Sequence, residues 1–266
     1  MRLRDLSRAV PFRVRLILVW ATLLGLFVAF FLGFNLKLEV IAQRFPALAG
    51  LELTKGGFLQ GAALTVFVTL CSGVCAVLLG LLAALGRLSD SAVAFGVSTF
   101  YQSFFRGTPL LVQIFLIYVG LPQLGPVPAA LPSGIVALSL NYGAYLAEIF
   151  RAGIQAVPHG QVEAATALGL RRWVIFWKVV WPQAMRFIVP PTSAQLVAML
   201  KDSSLISVMG VWEIMFLAQS FGRSTYRFLE MLITAALLYW ALSLVMELIQ
   251  ARIERHYGKG VQVRGR

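Results

Sequence analysis

A single acidic residue, Glu148, lies in the apolar stretch that spans residues 133–150. Asn141 and Tyr145 precede it by seven and three residues, so a helix would place the three side chains on one face. Such a face could line a path through a membrane and bind an ammonium or guanidinium group. Arg151, three residues beyond Glu148, could instead form an ion pair with it at the membrane edge. Both interpretations stay open at the level of the sequence.

A second group of polar residues, Lys201, Asp202 and Ser203, interrupts the apolar stretch at residues 187–208. An ionisable side chain inside a membrane span costs about 2.5–3.5 kcal/mol on insertion scales, so each needs a partner or a function. Adjacent residues on a helix point about 100° apart, so Lys201 and Asp202 would pair poorly with each other. We consider a role in a substrate path beside mutual neutralisation at a local helix break.

The segment at residues 151–186 is the longest polar interruption of the chain, and it contains Glu163, Ala164, Ala165, Gly169 and Pro182. Small residues beside one carboxylate permit close approach of another backbone, while glycine is typical of a helix C-terminus. We expect two short helices separated by a turn at Gly169, the second being basic, amphipathic and closed by Pro182. The segment could dock a partner protein, or its aromatic face could lie on the membrane.

The composition identifies an integral membrane protein. Hydrophobic residues make up 59% of the 266 residues and charged residues only 13%, whereas soluble domains are about one quarter charged. The net charge of +12 does not indicate a nucleic-acid-binding protein, because the bases lie between apolar runs. Cys71 and Cys75 would share a helix face, where packing explains them, and no metal site is predicted.

Six apolar stretches are long enough to be spans, at about 20 residues each. The predicted fold is an all-α polytopic membrane helix bundle with about six transmembrane helices. We predict spans near residues 16–34, 60–85, 108–122, 133–150, 187–208 and 229–250. The first resembles a signal peptide but is longer than a cleaved one, so we interpret it as an uncleaved signal anchor.

Residues 92–107 are apolar but end at Arg106, next to Thr108 and Pro109. Thr followed by Pro is typical of a helix start, with Thr as N-cap and Pro at the first helical position. We therefore expect a new helix from Thr108 and a segment before it that lies at the interface or enters only partly. Arg106 would mark the membrane boundary, with a role in the path as the alternative. The alternative is one long kinked span.

The basic residues predict the orientation. With the N-terminus inside, seventeen Lys and Arg residues lie on the inner side, and Lys201 lies within a span. Cytoplasmic loops carry the excess of Lys and Arg, so both termini and the 151–186 segment are predicted to be cytoplasmic. The five bases on the outer side are Lys37, Arg44, Lys55, Arg223 and Arg227.

The order of residues in the 151–186 segment resembles a known motif. Glu163-Ala164-Ala165, three residues, Gly169, nine residues and then Val179 to Pro182 resemble the E-A-A-x3-G-x9-I-x-L-P loop of inner-membrane permeases of binding-protein-dependent ABC importers. Val179 and Trp181 replace the usual Ile and Leu. Further stretches resemble the polar-amino-acid subgroup of that family, which includes histidine, glutamine and arginine permeases, over residues 57–256; they lie at 58–66, 104–122, 141–154 and 200–211.

The resemblance implies a function and a set of partners. The chain would be the permease subunit of a bacterial inner-membrane importer that moves a polar amino acid from periplasm to cytoplasm. A second permease subunit, identical or related, would complete the dimer, with a periplasmic substrate-binding protein above and ABC ATP-binding subunits below. Glu163, Ala164, Ala165, Gly169 and Pro182 would couple it to the ATPase. The chain itself would be no enzyme and hold no cofactor, in agreement with the lack of a phosphate-binding loop motif.

The resemblance also divides the chain. Residues 1–56 would form a basic cytosolic segment, the signal-anchor helix and an external linker, all outside the match. Residues 57–256 would form the five-helix permease core, whose cytoplasmic loop carries the coupling helix, and residues 257–266 a basic cytosolic tail. Two other functions are the alternatives. A secondary amino acid transporter driven by an ion gradient should show related halves, and an intramembrane enzyme needs a nucleophile and base at membrane depth; neither pattern is found.

Overall fold

The computed structural model describes residues 11–34 and 36–257. Within these ranges the chain is built of helices, and its β-structure is one isolated bridge between Gly61 and Glu213. The basic residues predicted at the start, Arg2, Arg4 and Arg8, lie outside the described residues. The predicted cytosolic tail from residue 258 onward lies outside them too.

The α-helices, numbered in chain order, are α1 (Phe12–Leu32), α2 (Leu38–Leu48), α3 (Gly61–Arg87), α4 (Ala92–Gly107), α5 (Leu110–Phe115), α6 (Ala130–Gln155), α7 (His159–Ala167), α8 (Arg172–Ile175), α9 (Trp181–Asp202), α10 (Ile214–Thr225) and α11 (Phe228–Tyr257). Two π-helical turns, Leu116–Gly120 and Phe176–Val180, follow α5 and α8. Two 3₁₀ segments, Leu121–Leu124 and Ser203–Met209, follow the first π turn and α9.

These helices make an all-α membrane bundle of about six spans, as predicted. Among the described residues, α1, α3 and α11 are each long and apolar enough to cross a membrane alone. Helices α4 and α5 pass the same test only as a pair, bent by 108° at the break between them. Helices α6 and α9, with 26 and 22 residues, are long enough to cross but more polar.

The break between α4 and α5 differs by one residue from the prediction. Pro109 is the N-cap and Leu110 the first helical residue of α5, so the expectation of Thr108 as N-cap was wrong. The proline ring forces the preceding residue out of the α region, and Thr108 is extended, with φ −117° and ψ 147°. Its Oγ1 instead donates a hydrogen bond to the carbonyl of Phe104 at 2.9 Å. Residues 92–107 are therefore helical up to the break, and the bend of 108° fits either a sharply kinked span or a re-entrant loop.

Helices α3 and α6 form the centre of the bundle and approach closely through small residues. A Cβ added at Gly80 would lie 2.8 Å from the Cβ of Leu146, and one at Gly143 would lie 3.0 Å from the Cβ of Leu79. Fully buried alanines, such as Ala76, continue this contact. Helices in lipid gain little from hydrophobic exclusion, so small residues that bring backbones into van der Waals contact hold them together.

The helix after Gly169 is longer than predicted. The segment from Arg172 runs through α8 and the π turn directly into α9, so Pro182 does not close a short helix. Pro182 lies in the first turn of α9. A proline lacks the backbone N–H that an α-helix interior needs, but the π turn immediately before it relieves that conflict.

The first span lies apart from the core. No residue of its apolar window is buried within this chain, and its Phe27 ring lies 6.3 Å from that of Trp240 on α11. Between α1 and α3, where the sequence indicated only a linker, α2 packs against α10 and α11. Leu48 at its end is fully buried, in a cluster with Ile214 and Met231.

Candidate functional site

The turn after α7 is built by residues close together in the sequence. The amide of Leu170 donates to the carbonyl of Ala165 at 3.2 Å, and the amide of Gly169 donates to that of Thr166 at 2.9 Å. This pair of bonds is a Schellman motif, which needs a left-handed residue after the helix. Gly169 supplies it with φ +73°. A side chain there would meet no neighbouring atom, so the requirement comes from the backbone alone.

The Glu-Ala-Ala residues of α7 divide between the surface and the core. Glu163 and Ala164 are exposed, and Glu163 forms no ion pair with the described residues. Ala165 is 5% exposed and packs into the cluster that contains Ile175 and Val180. Its close contact is therefore made within this chain, whereas Glu163 and Ala164 are free to contact a partner. Pro182 is also exposed.

An aromatic surface adjoins this turn. The ring of Trp177 contacts those of Trp173 and Trp181 at steep angles, with centroids 5.3 Å and 5.5 Å apart. Trp173 is 70% exposed and Leu168, in the turn, is 79% exposed. The exposed end of α7 and the turn therefore present an apolar surface next to the Glu163 carboxylate.

A polar cavity of about 510 Å³, which we call the central cavity, lies where α4, α5, α6 and α9 meet. Four elements distant in sequence contribute to it, and its lining includes both an acid and a base. The lining residues are Arg106, Gly107, Thr108, Pro109, Leu110, Asn141, Tyr142, Tyr145, Gln195 and Asp202.

A hydrogen-bond network fixes the wall of this cavity formed by the α4–α5 break. Gln113 is 2% exposed, and its Nε2 donates to the Phe105 carbonyl at 2.9 Å and to Thr108 Oγ1 at 2.8 Å. Asn141 Nδ2 donates to the same Phe105 carbonyl at 3.0 Å and to Gln113 Oε1 at 3.1 Å. Asn141 therefore positions the break while it lines the cavity.

Charges of opposite sign face this cavity. Asp202 Oδ2 accepts a hydrogen bond of 2.7 Å from the Tyr142 hydroxyl, which ties the end of α9 to α6. The Arg106 guanidinium lies over the Tyr145 ring, 5.4 Å from its centroid. Such a cation–π contact leaves the N–H groups of the guanidinium available to a ligand. The arrangement can bind a small molecule that carries both charges.

The cavity contains three of the six residues predicted to line a path: Asn141, Tyr145 and Asp202. Glu148 is outside the lining, since both its carboxylate oxygens accept hydrogen bonds from Arg151, as in the ion-pair alternative.

The two neighbours of Asp202 do not belong to the lining. Lys201 is exposed beside the cavity and does not line it. Ser203 is fully buried, and its hydroxyl donates to the carbonyl of Leu200 at 2.7 Å, so it stabilises the end of α9. Adjacent residues on a helix point about 100° apart, so the neighbours of a lining residue face other directions.

Sequence reasoning missed Tyr142 and Gln195, and for Arg106 it favoured the membrane boundary over a role in the path. Arg106 is the one charged residue between Asp90 and Glu148, and an isolated charge in so long an apolar region could have identified it. Gln195 was a polar residue within an apolar helix, which is a weaker indication.

A buried acid outside the cavity was also missed. Glu213 is fully buried and caps α10: its carboxylate accepts hydrogen bonds from the amides of Met215 at 2.9 Å and Phe216 at 2.8 Å. The hydroxyl of Tyr239 on α11 donates a third hydrogen bond. Burial raises the pKa of Glu213 to about 7, although the three donors oppose that rise.

Comparisons with known proteins agree with this architecture. Residues 76–259 match the family model described as binding-protein-dependent transport system inner membrane component. The arginine transport system permease protein ArtQ of Bacillus subtilis (strain 168) is 38% identical over 198 residues, which cover 74% of this chain and 90% of ArtQ. The L-cystine transport system permease protein TcyB of the same organism is 36% identical over 234 residues, covering 86% of this chain and 96% of TcyB.

A solved structure is similar over most of the chain. It is described as the crystal structure of an amino acid ABC transporter with histidines, and one of its chains superposes with a TM-score of 0.75 at 35% sequence identity. The match covers 84% of this chain and 99% of that one.

Proposed function

Because the chain belongs to the family of inner membrane components of binding-protein-dependent transport systems, we propose that its central cavity carries a polar amino acid across the membrane. The chain is the membrane-spanning permease subunit of an ATP-driven amino acid importer. The relatives are named for arginine and L-cystine, and the similar structure for histidines. All of these solutes carry an ammonium and a carboxylate group on one carbon.

The single observation that carries the proposed substrate class is the pair of opposite charges on the cavity lining. Asp202 would bind the ammonium group, and Arg106 would bind the carboxylate, for which its planar guanidinium is well suited. Asn141, Tyr145 and Gln195 add polar groups that can orient the solute. A sugar or a metal ion would not need both charges.

The ATPase would be a separate subunit that docks on the exposed face of α7. Glu163 would supply a charge for pairing with a basic residue of the ATPase, and Ala164 would permit close approach. Ala165, Gly169 and Pro182 would act indirectly, since Ala165 packs inside this chain, Gly169 forms the turn and Pro182 begins α9. A closure of the ATPase subunits could then be transmitted through α8 into α9, which ends at Asp202.

The complete importer would contain two permease subunits, identical or related, and a periplasmic substrate-binding protein. Both termini and α7 would face the cytoplasm, because that orientation places most Lys and Arg residues inside. The five-helix core from residue 57 to residue 256 would be the transporting unit. Residues 1–56 with α1 would be an addition to it.

Reconstitution tests the transport function. Proteoliposomes would contain the permease, its ATP-binding subunit and the binding protein, and uptake of tritiated L-arginine, L-cystine and L-histidine would be measured with internal ATP. We expect uptake of at least one solute that ceases without ATP. Uptake that proceeds without the ATPase, driven by a proton or sodium gradient, would favour the secondary transporter and contradict the proposal.

Charge reversal tests the docking face. Glu163→Lys should keep the subunit in the membrane and abolish stimulation of ATP hydrolysis by loaded binding protein. Asp90→Lys is the matched control, because Asp90 is an exposed acid in the turn between α3 and α4. Stimulation that survives Glu163→Lys would remove the docking role from α7.

A further inference from the structure

A second cavity, of about 390 Å³, adjoins the central one on the side of the Arg87 end of α3. Its walls come from the end of α3, from α4 and from α6. The two cavities share Arg106, Gly107 and Tyr145, so a small molecule that leaves one cavity is already next to the other. The lining residues of this second cavity are Arg87, Thr99, Gln102, Ser103, Arg106, Gly107 and Tyr145.

Hydrogen-bonding groups without a partner are concentrated here. Five buried side-chain nitrogen or oxygen atoms lack a partner in the part of the chain that the structure describes, and three of them belong to residues lining this cavity. They are Arg87 Nε, Thr99 Oγ1 and Gln102 Nε2. Gln102 is only 2% exposed. A buried donor without an acceptor costs about 1–3 kcal/mol, so three in one place point to a ligand that accepts hydrogen bonds.

The charge of the cavity has one sign. Arg87 and Arg106 both line it, and the lining includes no carboxylate. Arg87 donates to Gln102 Oε1 at 3.0 Å and lies over the Phe95 ring, 5.5 Å from its centroid. Within residues 11–34 and 36–257, neither arginine has a carboxylate oxygen within 4.0 Å. The Glu148 carboxylate is near enough to interact electrostatically with both, but it accepts its hydrogen bonds from Arg151, so N–H groups of Arg87 and Arg106 stay available to an anion.

We propose that this second cavity is an oxyanion-binding site, whose ligand is a carboxylate or a phosphate group. The guanidinium groups of Arg87 and Arg106 neutralise the charge, while Gln102 Nε2 and the Thr99 hydroxyl donate hydrogen bonds. Charge-assisted bonds of this kind are the strong ones, and a forked guanidinium suits both anions.

The oxyanion has two possible sources. One is the carboxylate of the transported amino acid after it leaves the central cavity, and this source rests on the proposed function. The other is the phosphate of an anionic lipid, which reaches the cavity from the membrane. The two sources share the same donors, so the variants below test the site itself and the probes separate the sources.

Thr99→Val is the decisive variant, because the Thr99 hydroxyl has no partner among the described residues. Valine keeps the shape of threonine, so folding should be unaffected, while an anion loses one donor. Thr192→Val is the matched control: Thr192 also has an unpartnered buried hydroxyl but does not line the cavity. Arg87→Gln is the second variant, removing a charge, with Arg255→Gln on an exposed arginine as its control.

Binding is measured on the permease with its ATP-binding subunit in phosphatidylcholine nanodiscs. In the solute arm, tritiated L-arginine and L-histidine are compared with agmatine, which is arginine without its carboxylate. In the lipid arm, the rise in Tm caused by adding phosphatidylglycerol to the discs is recorded. We expect Thr99→Val to weaken one response roughly tenfold, and Arg87→Gln to weaken it more.

The outcomes are distinct. Weaker binding of the amino acids with unchanged binding of agmatine supports the site and identifies the solute carboxylate. Loss of the phosphatidylglycerol effect alone supports the site and identifies a lipid phosphate. If both variants behave like their controls in both arms, the proposal is overturned, even where ATP-driven uptake proceeds. If the wild-type protein takes up no amino acid, the proposed function fails, and the lipid arm still decides whether the cavity binds an anion.

Discussion

The turn at α7 is proposed to couple the permease to the ATPase, and the central cavity is proposed to bind the solute. The two regions are assembled in opposite ways. The turn closes through bonds between residues three and five positions apart, and its glycine faces open space. The cavity needs contacts such as Tyr142 with Asp202, which are 60 residues apart. The conformation of a local motif depends strongly on the types of its own residues and only weakly on the residues packed around it. We therefore expect substitutions at the turn to abolish coupling and substitutions in the cavity to alter affinity.

The largest effect is expected at the turn. Gly169→Val forces a β-branched residue to φ +73°, which costs about 1–2 kcal/mol and reorients the end of α7. Stimulation of ATP hydrolysis by loaded binding protein should fall more than about tenfold. Gly169→Asn is the graded control, since asparagine visits left-handed conformations and should retain most activity. Equal activity of the two variants would show that coupling to the ATPase does not depend on the Schellman geometry.

In the cavity, Asp202→Asn should weaken solute binding without uncoupling the ATPase. Asparagine can still accept the hydrogen bond from Tyr142, but it cannot neutralise an ammonium group. Loss of a charge-assisted bond of about 1.5–3 kcal/mol corresponds to a roughly tenfold or greater rise in the KM of uptake. Lys201→Gln, at the exposed neighbouring residue, should leave KM unchanged. An effect of Lys201→Gln as large as that of Asp202→Asn would contradict the assignment of the lining.

Glu213 offers a prediction in which both kinds of assembly meet, because a local N-cap is buried by α11. Folding raises its pKa from 4.5 to about 7, so the protonated form stabilises the folded state. This contribution is full below pH 4.5 and is lost as the pH rises through about 7. The free energy of unfolding should thus fall by about 3 kcal/mol across that window.

Thermal unfolding in detergent checks this prediction. The Tm of the wild-type protein should decrease between about pH 5 and pH 8 because Glu213 ionises there. Glu213→Gln keeps one acceptor oxygen for the amides of Met215 and Phe216 and cannot titrate, so its Tm should vary less with pH. Parallel curves for the two proteins would exclude Glu213 as the source.

The smallest effect is expected at Glu148. Glu148 pairs with Arg151 three residues away, and both side chains are partly exposed, at 32% and 24%. Such a pair contributes about 0.3–0.5 kcal/mol, so Glu148→Gln should change uptake kinetics less than about twofold. A shift in substrate range would show that Glu148 contacts the solute, and therefore that the cavity extends further along α6.

Residues in short motifs were the ones that sequence could place. The left-handed turn at Gly169 and the ion pair of Glu148 with Arg151 follow from spacings of a few residues, and the structure contains both. The error at Pro182 also comes from reasoning over a few residues. Proline indicates a helix boundary because it interrupts a regular α-helix. The π turn Phe176–Val180, which lets the helix continue through Pro182, was not recognisable from residue types.

The amino-acid sequence by itself determined that this chain is an apolar helix bundle and determined its membership of a permease family, because hydrophobic length and motif order are properties of the linear chain. Only the tertiary structure decided which polar residues meet. Asp202 lines the cavity while Lys201 and Ser203 do not, and Arg106 faces it from the end of a different helix. The physical reason is that a side chain's direction depends on the rotation of its helix, which close packing against distant helices sets. For Arg106 it also depends on the 108° bend between α4 and α5.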